Sequence, residues 1–215
     1  MNIAPFIDHT FLKPEATVEI IEKLCHEAVE YGFSSVCINP VFVKKTVELL
    51  QGSEVLPCTV TGFPLGSSTP VVKIYETEKA LSDGAREIDT VINIGAVIAG
   101  DWKYIHKEIS EISALCKKTG AILKVILETC LLNKSQIVTA CKTVVDAGAD
   151  FVKTSTGFSH SGADAETVAL MRQTVGPKIG VKASGGIRSY NDAVKMIEAG
   201  ASRLGSSSGI KLLKS

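Results

Sequence analysis

The chain has 215 residues, 45% apolar and 21% charged, which suits one full hydrophobic core and is too apolar for a disordered chain. Its formal net charge is zero, so the basic excess of a general nucleic-acid binder is missing and only a local basic pocket for a small anion would fit. No apolar run approaches the roughly 20 residues of a membrane span, and the opening M-N-I-A-P-F-I-D-H-T lacks a basic stretch leading into an apolar one, so neither anchor nor secretory leader is expected.

From the first residues onward, short runs rich in Val and Ile alternate with longer amphipathic ones. The predicted strands are 6–9, 35–39, 57–62, 87–94, 122–128, 150–155, 179–184 and 203–206. Near-continuous apolar runs of this length suit parallel strands buried on both faces. Helical spacing fills 18–31, 41–51, 70–82, 102–119, 134–147, 165–175 and 190–199, with a short last helix at 207–214. In the first of these, Ile20, Ile21, Leu24, Cys25, Ala28 and Val29 share one face, Thr17 is the expected N-cap and Gly32 the expected stop. Eight such strand–helix units, without linker, low-complexity tract or charge block, predict a single-domain (β/α)8 TIM barrel over residues 1–215.

A spacing rule refines this. Helices are expected to end at Gly32, Gly84, Gly120, Gly148 and Gly200, and five residues beyond come Cys37, Asp89, Val125, Lys153 and Gly205. Equal offsets imply equal depth in the barrel. Lys182 lies six beyond Gly176, where Pro177 lengthens the turn. Asp89, Lys153 and Lys182 are therefore expected at one height, on strands four, six and seven.

That height carries the chemistry. Neighbouring strands are about 4.8 Å apart, so Lys153 and Lys182, both pointing inward, would crowd two ammonium groups into a pocket of low dielectric. One of them is then driven towards the neutral amine, the form that attacks a carbonyl and builds a Schiff base. Asp89 would partner Lys182 and handle protons. The bland alternative is a pair of outward lysines snorkelling between strand and helix. Two of them on adjacent strands, each followed by a glycine-bearing loop, speak against it. S-G-G-I-R (184–188) and L-G-S-S-S-G (204–209) follow strands seven and eight, where barrels often bind phosphate through backbone N–H groups and a helix N-terminus. T-S-T-G (154–157) adds hydroxyls. Six cysteines (25, 37, 58, 116, 130 and 141) form no C-x-x-C and sit in apolar segments, as free thiols of a reduced, cytoplasmic protein would. No metal cluster and no cofactor is expected.

I-D-H-T-F-L-K-P, V-C-I-N-P, G-F-P-L-G, E-I-D-T-V-I-N-I-G, L-K-V-I-L-E-T, D-F-V-K-T-S-T-G-F and V-K-A-S-G-G-I-R together resemble the successive motifs of the deoxyribose-phosphate aldolases, from residue 5 to about 209. The resemblance implies a metal-independent class I aldolase that cleaves 2-deoxy-D-ribose 5-phosphate reversibly to acetaldehyde and D-glyceraldehyde 3-phosphate in deoxyribonucleoside catabolism. It implies Lys153 as Schiff-base lysine, Lys182 as second lysine and Asp89 as proton carrier. It also brings Asp8 near the substrate and Lys124 into the site. The spacing rule points Val125 inward instead; on one strand only one of the two can be, and the resemblance favours Lys124, with a turn after Gly120 one residue shorter. Thr156, Gly157, Gly185, Gly186, Gly205, Ser206 and Ser207 are the remaining candidates for holding the phosphosugar. A homodimer is implied as well.

Two departures stand out. S-H-S-G-A-D (159–164) replaces the Gly/Thr-rich run many members carry, with Asp164 expected as a helix cap. Some members use a C-terminal tyrosine in proton transfer. Here the last tyrosine is Tyr190, so that help is expected from water held by Asp89 and Lys182. A phosphosugar-binding regulator on the same barrel, or an aldolase for another sugar phosphate, are the competing readings.

Overall fold

The protein is described here by a computed structural model covering residues 1–213, so the end of the predicted 207–214 helix lies outside the described residues. Eight parallel strands close into a barrel in sequence order. They are β1 (Ile7–Phe11), β2 (Ser35–Ile38), β3 (Leu56–Thr61), β4 (Glu87–Val91), β5 (Ile122–Ile126), β6 (Phe151–Lys153), β7 (Gly180–Ser184) and β8 (Arg203–Ser206). The helices around them are α1 (Val18–Tyr31), α2 (Val43–Leu49), α3 (Pro70–Ser82), α4 (Ile94–Ala99), α5 (Trp102–Thr119), α6 (Lys134–Asp146), α7 (Ala165–Val175), α8 (Tyr190–Glu198) and α9 (Gly209–Leu212).

Helix ends follow the chemistry of their caps. The Thr17 hydroxyl accepts from the Ile20 N–H at the start of α1, and Gly32 stops it in the left-handed region at φ 67°. Several predicted strands are shorter than expected, and the two that lose most do so for identifiable reasons. The strand over 87–94 ends at Val91, because the Asn93 side chain accepts from the Ala96 N–H at 3.0 Å and starts α4, a helix the sequence reading passed over. The strand over 150–155 keeps its ladder only to Lys153. Beyond it the Thr154 N–H donates to the Lys182 carbonyl, and T-S-T-G is released as a loop.

Strand alternation sorts residues into two layers. Outward side chains such as Ile7, Val36, Ile88, Leu123, Val125, Val152, Val181 and Leu204 pack with Ile21, Ile109, Val144 and Met171 of the helices in one continuous core. Burying one such side chain is worth about 1.5–3 kcal/mol. Inside the barrel the layer is divided. Leu12, Cys37, Cys58 and Val60 form a small apolar cluster on the β2–β3 side. The other side is charged, and the register explains why. Asp89 lies opposite Lys124, Lys153 opposite Lys182, Lys182 opposite Arg203, and Gly205 opposite Asp8.

Candidate active site

The charged half of the interior is one connected network. Asp89 is its hub: Oδ1 accepts from Lys124 Nζ at 2.8 Å, and Oδ2 accepts from both Lys153 Nζ and Lys182 Nζ at 2.7 Å. Lys182 also meets Asp8 at 2.5 Å, and Lys124 meets Glu87 at 2.6 Å. At the base, Arg203 donates to Asp8 at 2.6 Å and to Glu87 at 3.2 Å. The Arg203 guanidinium sits 5.6 Å from the centre of the Phe151 ring.

Burial alone would push Asp89 towards the neutral acid, but Lys124, Lys153 and Lys182 outweigh it and hold its carboxyl well below the usual range. Asp8 is held down likewise, burial being overcome by Lys182, Lys124 and Arg203. On the cationic side, burial would lower Lys182 and Lys124. Asp8 and Asp89 overcome it at Lys182, and Asp89 leads at Lys124, so both stay above the ordinary lysine value. Burial pushes the Cys58 thiol up. Cys37, Cys58 and Asp89 have donor atoms within 4.8 Å of one another, but both Asp89 oxygens already belong to ammonium groups.

Above the network opens a cavity of about 550 Å³ at the C-terminal ends of the strands. Of the interior cluster, Lys153 is the member that lines it; Asp89, Lys182, Lys124 and Asp8 lie beneath. The cavity wall includes the predicted Thr156, Gly157, Gly185, Gly186, Gly205, Ser206 and Ser207, joined by Lys13 and Arg188. Gly185 and Gly186 take φ of 82° and 80°, a conformation that L side chains rarely adopt. A Cβ at Gly205 would lie 3.1 Å from Lys182 Cε, so glycine there leaves room for the lysine. The helix after this loop, α9, has only four residues.

The structure brings the predicted residues together, and Lys124, not Val125, faces the interior. The strand starts two residues after Gly120 rather than three, which is the shorter turn that Lys124 required. Asp164 caps α7 by accepting from the Thr167 N–H at 2.8 Å. Two groups went unread: Glu87 and Arg203. Each sits two positions before a recognised residue, Asp89 and Gly205, and so shares its face. That parity was the available signal. Glu128 was missed as well. It stands at φ 54° and takes both the N–H and the hydroxyl of Thr156.

A lysine at the floor of a barrel mouth, beside a glycine- and serine-lined wall, is an arrangement an aldolase can use, and the comparisons point to that class. Residues 3–215 match the model of the DeoC/LacD family aldolase; the chain belongs to that family. It is 57% identical to the deoxyribose-phosphate aldolase of Brevibacillus brevis, over 99% of this chain and 96% of that one. With the deoxyribose-phosphate aldolase of Streptococcus gordonii the identity is 56% over 100% of this chain and 96% of the relative. Among solved structures, the tetrameric deoxyribose phosphate aldolase of Aeropyrum pernix superposes with a TM-score of 0.92 at 40% identity, covering 98% of this chain and 89% of that one. An aldolase named QR15 gives 0.93 at 40%, covering 98% and 94%.

Proposed function

We propose that residues 1–215 act as one catalytic unit, a class I deoxyribose-phosphate aldolase. The observation that carries this reading is the position of Lys153 Nζ: at the cavity, 2.7 Å from a carboxylate that also holds Lys182 and Lys124. The amine of Lys153 adds to the C1 aldehyde of open-chain 2-deoxy-D-ribose 5-phosphate, and loss of water leaves a protonated imine. A base takes the proton of the C3 hydroxyl. The C2–C3 bond then breaks, its electron pair passing into an enamine, and glyceraldehyde 3-phosphate departs. Protonation at C2 and hydrolysis release acetaldehyde and restore the lysine. Asp89 and Lys182, through a water, serve as base and later as acid. No cofactor takes part.

The phosphate is held by the N–H groups and hydroxyls of Gly185, Gly186, Gly205, Ser206 and Ser207, with Thr156 and Gly157 closing the wall. Asp8 and Lys124 act from beneath by fixing Lys182 and Asp89. The reaction belongs to carbohydrate catabolism in a cytoplasmic setting; among the described residues no helix is long and apolar enough to cross a membrane. The protein works as a homodimer, which sedimentation would test. The exposed apolar side chains Val41, Leu65, Val71, Tyr75 and Ile98 are the positions to probe.

The test is to mix the protein with deoxyribose 5-phosphate, add borohydride and map the modified peptide by mass spectrometry. An adduct of acetaldehyde size on Lys153 is expected. No adduct, or one on Lys182 alone, would overturn the assignment and advance the binding-protein reading.

A further inference from the structure

Among the described residues, Glu128 is the one non-glycine residue with a positive φ, 54°. L side chains are strained there, and the conformation persists only where the surroundings enforce it. The flanking backbone does so. The Leu127 N–H donates to the Lys153 carbonyl and the Thr129 N–H to the Thr154 carbonyl, both at 2.9 Å. Two steps along the chain after β5 therefore meet one step after β6. Glu128 is the extra residue, as in a β-bulge, a device that re-aims a side chain.

The side chain is aimed at the loop after β6. Glu128 is only 2% exposed. Its Oε1 accepts from the Thr156 N–H at 3.2 Å, and its Oε2 accepts from the Thr156 hydroxyl. The Cys130 thiol stands 4.0 Å from Oε1. The Thr156 Oγ1 in turn accepts from the Phe158 N–H at 3.1 Å. A hydroxyl has one O–H and two lone pairs. Here the O–H points to Glu128 and one lone pair faces Phe158. One lone pair is left, on a residue that lines the same cavity as Lys153.

We propose that Glu128 is a positioning residue that turns the Thr156 O–H away from the cavity, so that Thr156 Oγ1 meets the substrate only as a hydrogen-bond acceptor. Such an oxygen selects a partner that donates, and here that partner is a hydroxyl of the sugar. Open-chain 2-deoxy-D-ribose 5-phosphate has hydroxyls at C3 and C4; acetaldehyde has none. Glu128 itself does not line the cavity and acts only through Thr156. The inference rests on the aldolase reading above and adds to it a means of telling hydroxyl-bearing substrates from bare aldehydes.

Glu128→Gln keeps the shape and reverses the bond. The amide oxygen takes the Thr156 N–H, and the NH2 group donates into Thr156 Oγ1, filling its second lone pair. Thr156→Val removes the oxygen. In each variant KM for deoxyribose 5-phosphate should rise about tenfold with kcat nearly unchanged, as for the loss of one hydrogen bond made equally in ground and transition states. The double variant should be no worse than Thr156→Val, because Glu128 works through that oxygen. With acetaldehyde as the probe, the borohydride-trapped adduct on Lys153 should form at the wild-type rate in all three.

Wild-type protein that neither turns over deoxyribose 5-phosphate nor traps acetaldehyde on Lys153 overturns the aldolase reading. Wild-type activity with an unmoved KM in Glu128→Gln leaves that reading intact and overturns this one. An acetaldehyde adduct that slows in step with the sugar also overturns it, since Glu128 would then be a support of the fold, and so does a double variant worse than Thr156→Val. If Glu128→Gln fails to fold, Glu128→Asn replaces it: asparagine is at home at positive φ, and its side chain is one methylene too short for Thr156. A raised KM for the sugar with an unmoved acetaldehyde adduct upholds the inference there, and any other pair overturns it.

Discussion

Asp89 Oδ2 accepts from two ammonium groups that would otherwise repel each other. A carboxylate in that position keeps two lysines within one pocket, and it is itself kept ionised by them. Lys153→Ala removes the proposed nucleophile and should leave no borohydride adduct, while the far-ultraviolet circular dichroism stays that of the folded barrel. Lys182→Leu is subtler. Asp8 and Asp89 each lose a partner, and breaking a buried pair on one side costs about 3–5 kcal/mol. With one cation gone, adduct formation should slow at neutral pH and recover partly in alkaline buffer. Unchanged kinetics in a folded Lys182→Leu variant would remove Lys182 from the mechanism. Much of this cluster was legible in the sequence, because a lysine within a Val/Ile-rich strand is conspicuous. Glu87 and Arg203 were not, since a charged residue at the start of a strand is the normal place for a solvated one. Only the closed barrel, with Arg203 reaching both Asp8 and Glu87, turns those positions inward.

At the scale of elements, most helix boundaries were legible from cap residues, an initial proline or a terminal glycine. Helices α1, α3, α5 and α7 run between the residues their patterns predicted, from Val18, Pro70, Trp102 and Ala165. The strand ends were less so, because I-N-I-G-A-V reads as apolar throughout and only the Asn93 side chain decides that a helix begins. Helix α6 offers a clean test. Asn133 and Gln136 cap each other, the Asn133 side chain accepting from the Gln136 N–H at 2.9 Å and the Gln136 side chain from the Asn133 N–H at 3.0 Å. Asn133→Ala should cost about 1 kcal/mol and lower Tm by about 2–4 °C for a chain of this size. Calorimetry reads the loss. Turnover at 25 °C should not change, since α6 meets the site only through its strand.

For the whole molecule, the interior network links stability to acid. Asp8 and Asp89 sit below the value of about 3.9 that an aspartate has in an unfolded chain. The unfolded state therefore binds more protons as pH falls. The stability these groups supply is complete above about pH 4 and is lost as pH drops through their folded values. Thermal midpoints should be flat near neutrality and fall steeply below about pH 4. In Asp8→Asn the starting stability is lower and that acid slope is shallower. Equal slopes would mean that Asp8 contributes nothing to the linkage.

The divided interior of the barrel has a consequence for how such a molecule changes over generations. Its β2–β3 side is already filled by Leu12, Cys37, Cys58 and Val60. Exchanging a buried ionic cluster for well-packed apolar side chains is often neutral or even stabilising by about 1–4 kcal/mol. A lineage screened for robustness alone would let that apolar side spread across β4 to β8, yielding a sturdier and inert barrel. Only demand for turnover keeps seven charged groups in a place that well-packed apolar side chains could fill as stably.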